Sequence, residues 1–382
     1  MKQCQVISPG LWVSSMLFRP CLLLLAGGLI VSPQLPAATT TPGRIVGWGN
    51  NSHGKAVALA GLSNVVAVGA NGIDTGAGYS VALSSSGTVT TWGANGVGGS
   101  GGPTNVPPGL NNVVVISAGP VHVLALKSDG TVVAWGGNSS GQTNVPSGLN
   151  NVVAVAAGRL HSLALKNDGT VVAWGSGSAT NMPSELTDVM AIAAGNYHSL
   201  ALASNGTVVA WGLGLATNVP SDLSNVVAIA AGGNSSMALK NDSTVVAWGS
   251  GSATNVPAGL SNVVAIAPFF AIKNDGMLST WSLSLTPPAG LSNVVAIAVG
   301  YDHCLAITID LKISSIKQAT PNPAIRFHTF SGQQYLVEYS PDLSPGSWSN
   351  LPGGDVSGNG FDALVTDTNA VAAAKFYRIK QE

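Results

Sequence analysis

The sequence predicts an all-β chain: a seven-bladed β-propeller followed by a small β-sandwich-like module. Three observations carry this expectation. Charged residues make up only 8% of the 382 positions, against roughly 25% in an ordinary soluble domain. Gly is abundant, at 48 residues, which suits close-packed strands joined by tight turns. Most telling, a short unit recurs, with Trp48, Trp92, Trp135, Trp174, Trp211, Trp248 and Trp281 in matching contexts.

Residues 1–38 read as an export signal and 39–43 as a linker. Arg19 precedes the apolar run 21–31, and Pro36-Ala-Ala38 supplies small residues for cleavage. Met16 suits the start of a signal of ordinary length. Two of the three cysteines, Cys4 and Cys21, fall in this segment. The mature chain would keep only Cys304, so neither an internal disulfide nor a cysteine metal site is expected. No later stretch approaches the ~18 apolar residues that a bilayer span requires, so no transmembrane segment is expected after signal removal. The chain is expected to be secreted or at the cell surface, extracellular or periplasmic.

Residues 44–312 hold the repeat. Its clearest copy, 151–175, divides into three strands. Val152 to Ala156 is short and apolar; His161 to Lys166 is closed by the turn Asn167-Asp168-Gly169; and Thr170 to Trp174 is rich in β-branched residues. The connection that follows, such as Thr180-Asn-Met-Pro183, contains a Pro that disfavours a central strand. One position precedes Trp by 13 residues in every complete copy: Tyr79, His122, His161, His198, Ser235 and Pro268. Leu62, Leu110, Leu149, Leu186, Leu223, Leu260 and Leu291 recur two residues before the Asn or Asp that opens strand one. Length changes fall between these anchors: an insertion at 70–75, a glycine-rich stretch at 96–102, and a loss of four residues before Pro268. Fixed hairpins with variable connections suit sheet joined by solvent-facing loops.

The copies begin and end mid-unit. Residues 44–49 form a Trp strand with no hairpin before it, and 293–310 form two strands with no Trp strand after them. Pairing the two ends completes a seventh blade and leaves no open edge.

The segments Val155-Ala-Ala-Gly-Arg-Leu-His-Ser-Leu-Ala-Leu165 and Ile192-Ala-Ala-Gly-Asn-Tyr-His-Ser-Leu-Ala-Leu202, each followed by a hairpin turn and Trp-Gly, resemble the regulator-of-chromosome-condensation type repeat. In compactness the copies are similar to those of bacterial secreted propellers that inhibit β-lactamases. The resemblance implies a propeller used for protein recognition. The exchange and chromatin roles of the eukaryotic family sit poorly with an export signal and a net charge of −1, which offers no basic face for phosphates.

Little in the chain points to catalysis. His122, His161, His198 and His303 each fall in a different blade, which suits packing or hydrogen bonding to backbone better than convergence on a metal. The seven Trp positions suit packing between blades. No Gly-x-Ser-x-Gly elbow occurs, and Asp129, Asp168, Asp242 and Asp275 are accounted for by hairpin turns. Calcium-loop and zinc patterns are absent, so no cofactor or metal is expected. The informative variation lies just before the histidine position, where otherwise similar copies differ. Arg159, Tyr197, Asn234, Phe269, Tyr301 and Asp302 are the candidate partner-binding residues, with Tyr, Arg and Phe among them, types enriched at interfaces.

After residue 312 the repeat stops. Residues 313–382 show alternating segments such as Gln334-Tyr-Leu-Val-Glu-Tyr339, with turns at 344–346 and 358–360 and the ending Lys375-Phe-Tyr-Arg-Ile-Lys380. This reads as a small antiparallel sandwich and is similar to C-terminal modules of secreted verrucomicrobial-type proteins. The expectation is a monomeric, non-enzymatic propeller that recognises an unidentified protein, not nucleic acid. The rivals are a structural or adhesive surface protein displayed through the C-terminal module, and a carbohydrate-active enzyme with a site in the central channel.

Overall fold

The computed structural model describes residues 23–25, 28–30, 43–72, 77–94, 102–282, 284–309, 313–317, 323–329, 334–340, 349–358, 362–367 and 376–381. Within the expected export segment, Leu23–Leu25 pairs antiparallel with Gly28–Ile30. Arg19, Met16 and the expected cleavage site lie outside the described residues, as do 96–101 of the glycine-rich stretch.

Seven sheets of three antiparallel strands form the propeller. Blade 1 comprises Val65–Gly72, Gly78–Ser84 and Val89–Gly93. Blade 2 comprises Val113–Ala118, His122–Lys127 and Val132–Gly136, and blade 3 Val152–Ala157, His161–Lys166 and Val171–Gly175. Blade 4 comprises Val189–Ala194, His198–Ala203 and Val208–Gly212, and blade 5 Val226–Gly232, Ser235–Lys240 and Val245–Gly249. Blade 6 is the shortest: Val263–Ala267, Phe270–Lys273 and Leu278–Thr280. Blade 7 joins the chain's two ends. Val294–Val299 and His303–Thr308 take Arg44–Gly49 as their third strand, with Cys304 opposite Trp48 and Thr308 opposite Arg44.

Every blade begins in the same unusual way. Asn64, Asn112, Asn151, Asp188, Asn225, Asn262 and Asn293 hold positive φ, between 51° and 57°. Asn and Asp tolerate this left-handed conformation better than other side chains, which explains their recurrence. The kink aims each carbonyl at the far end of the neighbouring hairpin: Asn151 O accepts from Asn167 N, and Asn225 O from Asn241 N, both at 2.9 Å. Each first strand then carries a bulge one residue in, as between Val152 and Ala154.

The connections are turns and short 3-10 segments, Ser178–Thr180, Leu215–Thr217 and Ser252–Thr254, with no fourth strand among the described residues. Of the insertion at 70–75, residues 70–72 lengthen a hairpin, and 73–75 lie outside the described residues. Ala70, Asn71 and Gly72 pair with Ser80, Tyr79 and Gly78, and Asn71 Nδ2 donates to Ala118 O of blade 2 at 2.8 Å. In blade 6 the deletion leaves Pro268 and Phe269 as a two-residue turn, with Phe269 at a φ of 66°.

Alternate blade residues point between sheets and form the core. Leu163, Leu200, Ile192 and Ile229 are fully enclosed, and the recurrent leucines before each blade pack partly buried against them. Trp48, Trp92, Trp135, Trp174, Trp211 and Trp248 are between 5% and 8% exposed, as packing between blades requires. Trp281, in the shortened blade 6, is only partly buried. At roughly 25 cal/mol per Å² and about 200 Å² per ring, each buried indole contributes at most on the order of 5 kcal/mol.

The C-terminal segment forms two three-stranded antiparallel sheets. One holds Ile313–Lys317, Ala324–His328 and Asp362–Thr366; the other holds Gln334–Ser340, Ser349–Ser357 and Phe376–Gln381. Phe327 of the first meets Tyr335 of the second edge-on, with ring centroids 5.8 Å apart, inside a shared core with Val337, Leu351 and Val365. Among the described residues no helix is long and apolar enough to cross a membrane.

Candidate protein-recognition face

The framework beneath the candidate face is a hydrogen-bond unit that recurs between blades. His161 Nε2 of blade 3 lies 3.0 Å from Ser199 Oγ of blade 4. Ser199 Oγ donates to Ala179 O in the connection between them, and Trp211 Nε1 donates to the same carbonyl at 2.7 Å. The serine proton is thus committed, so the imidazole donates from Nε2. The same unit joins His122 to Ser162 and Trp174 through Gln142 O, and His198 to Ser236 and Trp248 through Ala216 O. At ring closure His303 meets Ser80 through Lys55 O, which also accepts from Trp92 Nε1.

The three other junctions change both partners together. Tyr79 is followed in the next blade by Val123, and its hydroxyl reaches Gly119 O and His122 O at 2.6 and 2.9 Å. Ser235 is followed by Phe269, and Pro268 by Cys304. The tryptophan bond outlasts the histidine at two of them: Trp135 Nε1 donates to Pro103 O at 2.9 Å, and Trp48 Nε1 to Leu285 O at 3.0 Å.

Two sequence expectations gain a further hydrogen-bond partner here. Packing alone does not describe the tryptophans, because Trp135, Trp248 and their equivalents each tie a third strand to the connection before it. An indole N–H carried into a core needs such an acceptor. Each of the four histidines has a serine hydroxyl beside it, and His198 and His303 also bond the backbone of Ser235 and Tyr79, the kind of partner the sequence suggested. The signal was present: Ser80, Ser162, Ser199 and Ser236 each follow the histidine position by one, and occur where the preceding copy carries His.

Burial sets the protonation of these rings. Desolvation lowers His122 to about 3, helped by the charge of His161, and lowers His161 to about 4, helped by His198. His198 also falls to about 4 through desolvation. His303 reaches about 4 by desolvation, although the Asp302 carboxylate opposes the shift. All four are neutral at pH 7.

At ring closure the residues Ser80, His303 and Asp302 stand in the order of a hydrolytic triad. Asp302 Oδ1 is 3.5 Å from His303 Nδ1. The arrangement is closed to substrate, because Ser80 and His303 are fully buried and Ser80 spends its proton on Lys55 O. Asp302 serves a different group. Its Oδ2 accepts from the fully buried Lys55 ammonium at 2.9 Å. Lys55 occupies the place that Ala179 and Ala216 hold at other junctions, and nothing in the spacing of the repeat marks it.

The loops between first and second strands share one end of the ring, because each bonds to the end of its blade's third strand. Ser176 N donates to Leu160 O, Leu213 N to Tyr197 O, Ser250 N to Asn234 O and Asn50 N to Asp302 O. The hairpin turns, with the ion pairs Lys127–Asp129, Lys166–Asp168 and Lys240–Asp242, lie at the opposite end. On the loop face Tyr301 is 62% exposed, Tyr197 38% exposed, Asn234 exposed and Arg159 half-buried. Arg159 and Tyr197 are brought together, the guanidinium carbon 5.8 Å from the ring centroid. Two candidates are drawn inward: Phe269 packs against the cluster of Trp48, Phe270 and Leu285, and Asp302 is held by Lys55. Among the described residues no three His, Cys, Asp or Glu side chains gather as a metal site.

Comparison with known proteins agrees with this geometry. The Regulator of chromosome condensation (RCC1) repeat matches residues 113–142, 152–179, 190–215 and 226–253. No curated protein matches the sequence. Similar solved structures include Prp20p from Saccharomyces cerevisiae, 19% identical, covering 72% of this chain and 93% of that one with a TM-score of 0.53. Yeast RCC1 (Prp20) bound to Kap60 is 17% identical, covers 81% and 97%, and has a TM-score of 0.55. The CRINKLY WD40 ectodomain of the Arabidopsis thaliana receptor kinase ACR4 is 20% identical, covers 62% and 90%, and has a TM-score of 0.51. Repeat match and shared architecture agree: blades 2 to 5 carry repeats that match the regulator of chromosome condensation (RCC1) model, and the chain shares the propeller fold of these structures.

Proposed function

We propose that the chain is a secreted, non-enzymatic propeller that recognises a protein through the loop face bearing Arg159, Tyr197, Asn234 and Tyr301. The observation that carries this reading is a contrast within the repeat. Neighbouring positions are locked by the same bonds in blade after blade, while the loop residues before the histidine position differ, and Tyr197, Asn234 and Tyr301 among them stand in solvent. A rigid frame presenting varied Tyr, Arg and Asn side chains suits protein recognition, since aromatic and Arg anchors dominate interface energetics. Yeast RCC1 (Prp20), which has a similar architecture, has been captured bound to Kap60. The export-like segment 1–38 supports secretion, and a net charge of −1 supports a partner other than nucleic acid.

The test is a pull-down from culture medium with the mature chain, repeated with Tyr197→Ala and Tyr301→Ala. One stoichiometric protein, lost or weakened by either substitution, is the expected result. Absence of any partner at micromolar bait overturns protein recognition. A partner retained at full affinity by both variants excludes this face.

A further inference from the structure

The repeat supplies its own control for what the loop face would look like without a partner. The residue bonded to the loop carbonyl is Ser176 in blade 3, Ser250 in blade 5, Gly137 in blade 2 and Asn50 in blade 7. In blades 1 and 6 it is Ala94 and Trp281, both partly buried, and in blade 4 it is Leu213. The first residue of the following 3-10 segment is Ser178 after blade 3 and Ser252 after blade 5, but Leu215 after blade 4. Backbone conformation does not account for the change, since Gly177, Gly214 and Gly251 before these segments share φ near 90°. Both leucines stand in solvent, 57% and 60% exposed. Positions that carry serine in blades 3 and 5 are thus exposed leucines in blade 4, and Leu213 N is bonded to the carbonyl of the 38% exposed Tyr197.

Charge marks the same sector. Arg159 is held over the Tyr197 ring. Among the described residues no carboxylate lies within 4 Å of it, whereas Lys127, Lys166 and Lys240 are paired with aspartates at the opposite end of the ring. Lys55 on the loop side is buried against Asp302. The sector therefore combines an apolar rim with one oriented cation that lacks an acidic counterpart.

We propose that Arg159, Tyr197, Leu213 and Leu215 form a docking sector for a protein segment with an apolar side chain flanked by a carboxylate. The apolar side chain covers the two leucines and the tyrosine edge, and the carboxylate meets the guanidinium, whose fork can take it with two hydrogen bonds. This rests on the recognition reading and narrows it to one sector and one partner chemistry.

The probe is a random linear dodecapeptide library panned on the full chain, with the most enriched peptide synthesised and titrated. Enriched sequences should carry Asp or Glu within a few residues of Leu, Ile or Phe. Leu213→Ser/Leu215→Ser and Arg159→Ala should each weaken binding by about tenfold or more, as expected for anchor residues. Added salt should weaken the wild type more than Arg159→Ala. The double serine variant restores what blades 3 and 5 carry, so its thermal midpoint should match the wild type and separate lost binding from lost fold. Peptides lost on Tyr301→Ala but unaffected by the double variant overturn the sector and leave the recognition face standing. Enrichment without an acidic–apolar pattern, or no enrichment over a denatured-chain control, overturns the partner chemistry, while the pull-down decides recognition itself. Binding to phosphatidylcholine vesicles that the double variant abolishes overturns the proposal in favour of a lipid surface.

Discussion

His303 Nε2 and Ser80 Oγ lie 3.0 Å apart across the junction between blade 7 and blade 1, 223 positions distant in sequence. The bond repeats the one between His161 and Ser199, which spans only adjacent copies. Ring closure therefore uses the same hydrogen-bond unit as the interior junctions, with the addition of the Lys55–Asp302 ion pair. Each unit joins one blade's histidine to the next blade's serine and tryptophan through one backbone carbonyl, so its loss opens a contact between sheets.

Removing one member of the unit should therefore destabilise the fold. Ser199→Ala leaves the Nε2–H of His161 buried without its hydroxyl partner, which costs about 1–3 kcal/mol. The Tyr79 and Val123 junction shows an alternative arrangement at the same two positions. His161→Tyr with Ser199→Val should accordingly lose less stability than the sum of the single changes, measured as a coupling energy by urea unfolding. Strict additivity would mean that the two positions do not act together.

Acid should unfold the propeller through these histidines. Their ordinary value is 6.5, and in the fold they lie near 3 for His122 and near 4 for His161, His198 and His303. Between those values the unfolded chain binds protons that the folded chain refuses. Stability should be flat above about pH 7 and fall as pH drops from 6.5 toward 4, by on the order of 3 kcal/mol for each imidazole. Four such groups together are comparable to the usual net stability of a domain, so the urea midpoint should fall steeply between pH 6.5 and pH 4. Urea midpoints measured at intervals of half a pH unit check this. A profile flat to pH 4 would show that the rings charge in place without cost.

The ring is legible in the sequence because its evidence is local and repeated. Thr-Val-Val-Ala-Trp-Gly after an Asn-Asp-Gly turn can be read without knowing where the strand docks. Blade count follows from the complementary half-units at 44–49 and 293–310. What escapes is what lies between copies. Ser199 matters to His161 of the preceding blade, so reading each copy by itself hides the pair. The acceptors of Trp135 and Trp248 escape likewise, since Pro103 O and Ala216 O are backbone atoms that no residue type announces. Lys55 escapes for a different reason: its buried ammonium depends on Asp302, brought near only by closure. In the candidate face, Tyr197 and Tyr301 are exposed as their variability suggests, but Phe269 is pulled inward by the deletion that shortens blade 6.

The closing ion pair gives a sharper contrast between single and paired substitutions. Asp302→Ala leaves the fully buried Lys55 ammonium without its carboxylate, a change that costs about 3–5 kcal/mol in comparable buried pairs. Lys55→Met with Asp302→Leu removes both charges and should restore most of that loss, since apolar replacements of buried pairs are often neutral. Thermal unfolding of both variants decides it. Equal losses would show that the carboxylate does not stabilise the buried lysine.

The glycine three residues before the histidine position makes the last prediction. A Cβ built at Gly195 would collide with the imidazole of His198, and one at Gly158 with that of His161. Neither residue has positive φ, so the constraint is space taken by the ring and not backbone conformation. Gly195→Ala should force His198 from Ser236, breaking the unit and destabilising the protein by about 1–3 kcal/mol. Combined with His198→Ala, which empties that space, the same substitution should add little further loss. Calorimetry on the two single variants and the double variant separates the cases. If Gly195→Ala costs as much without the imidazole as with it, the collision lies with backbone, and the glycine serves the strand and not the histidine.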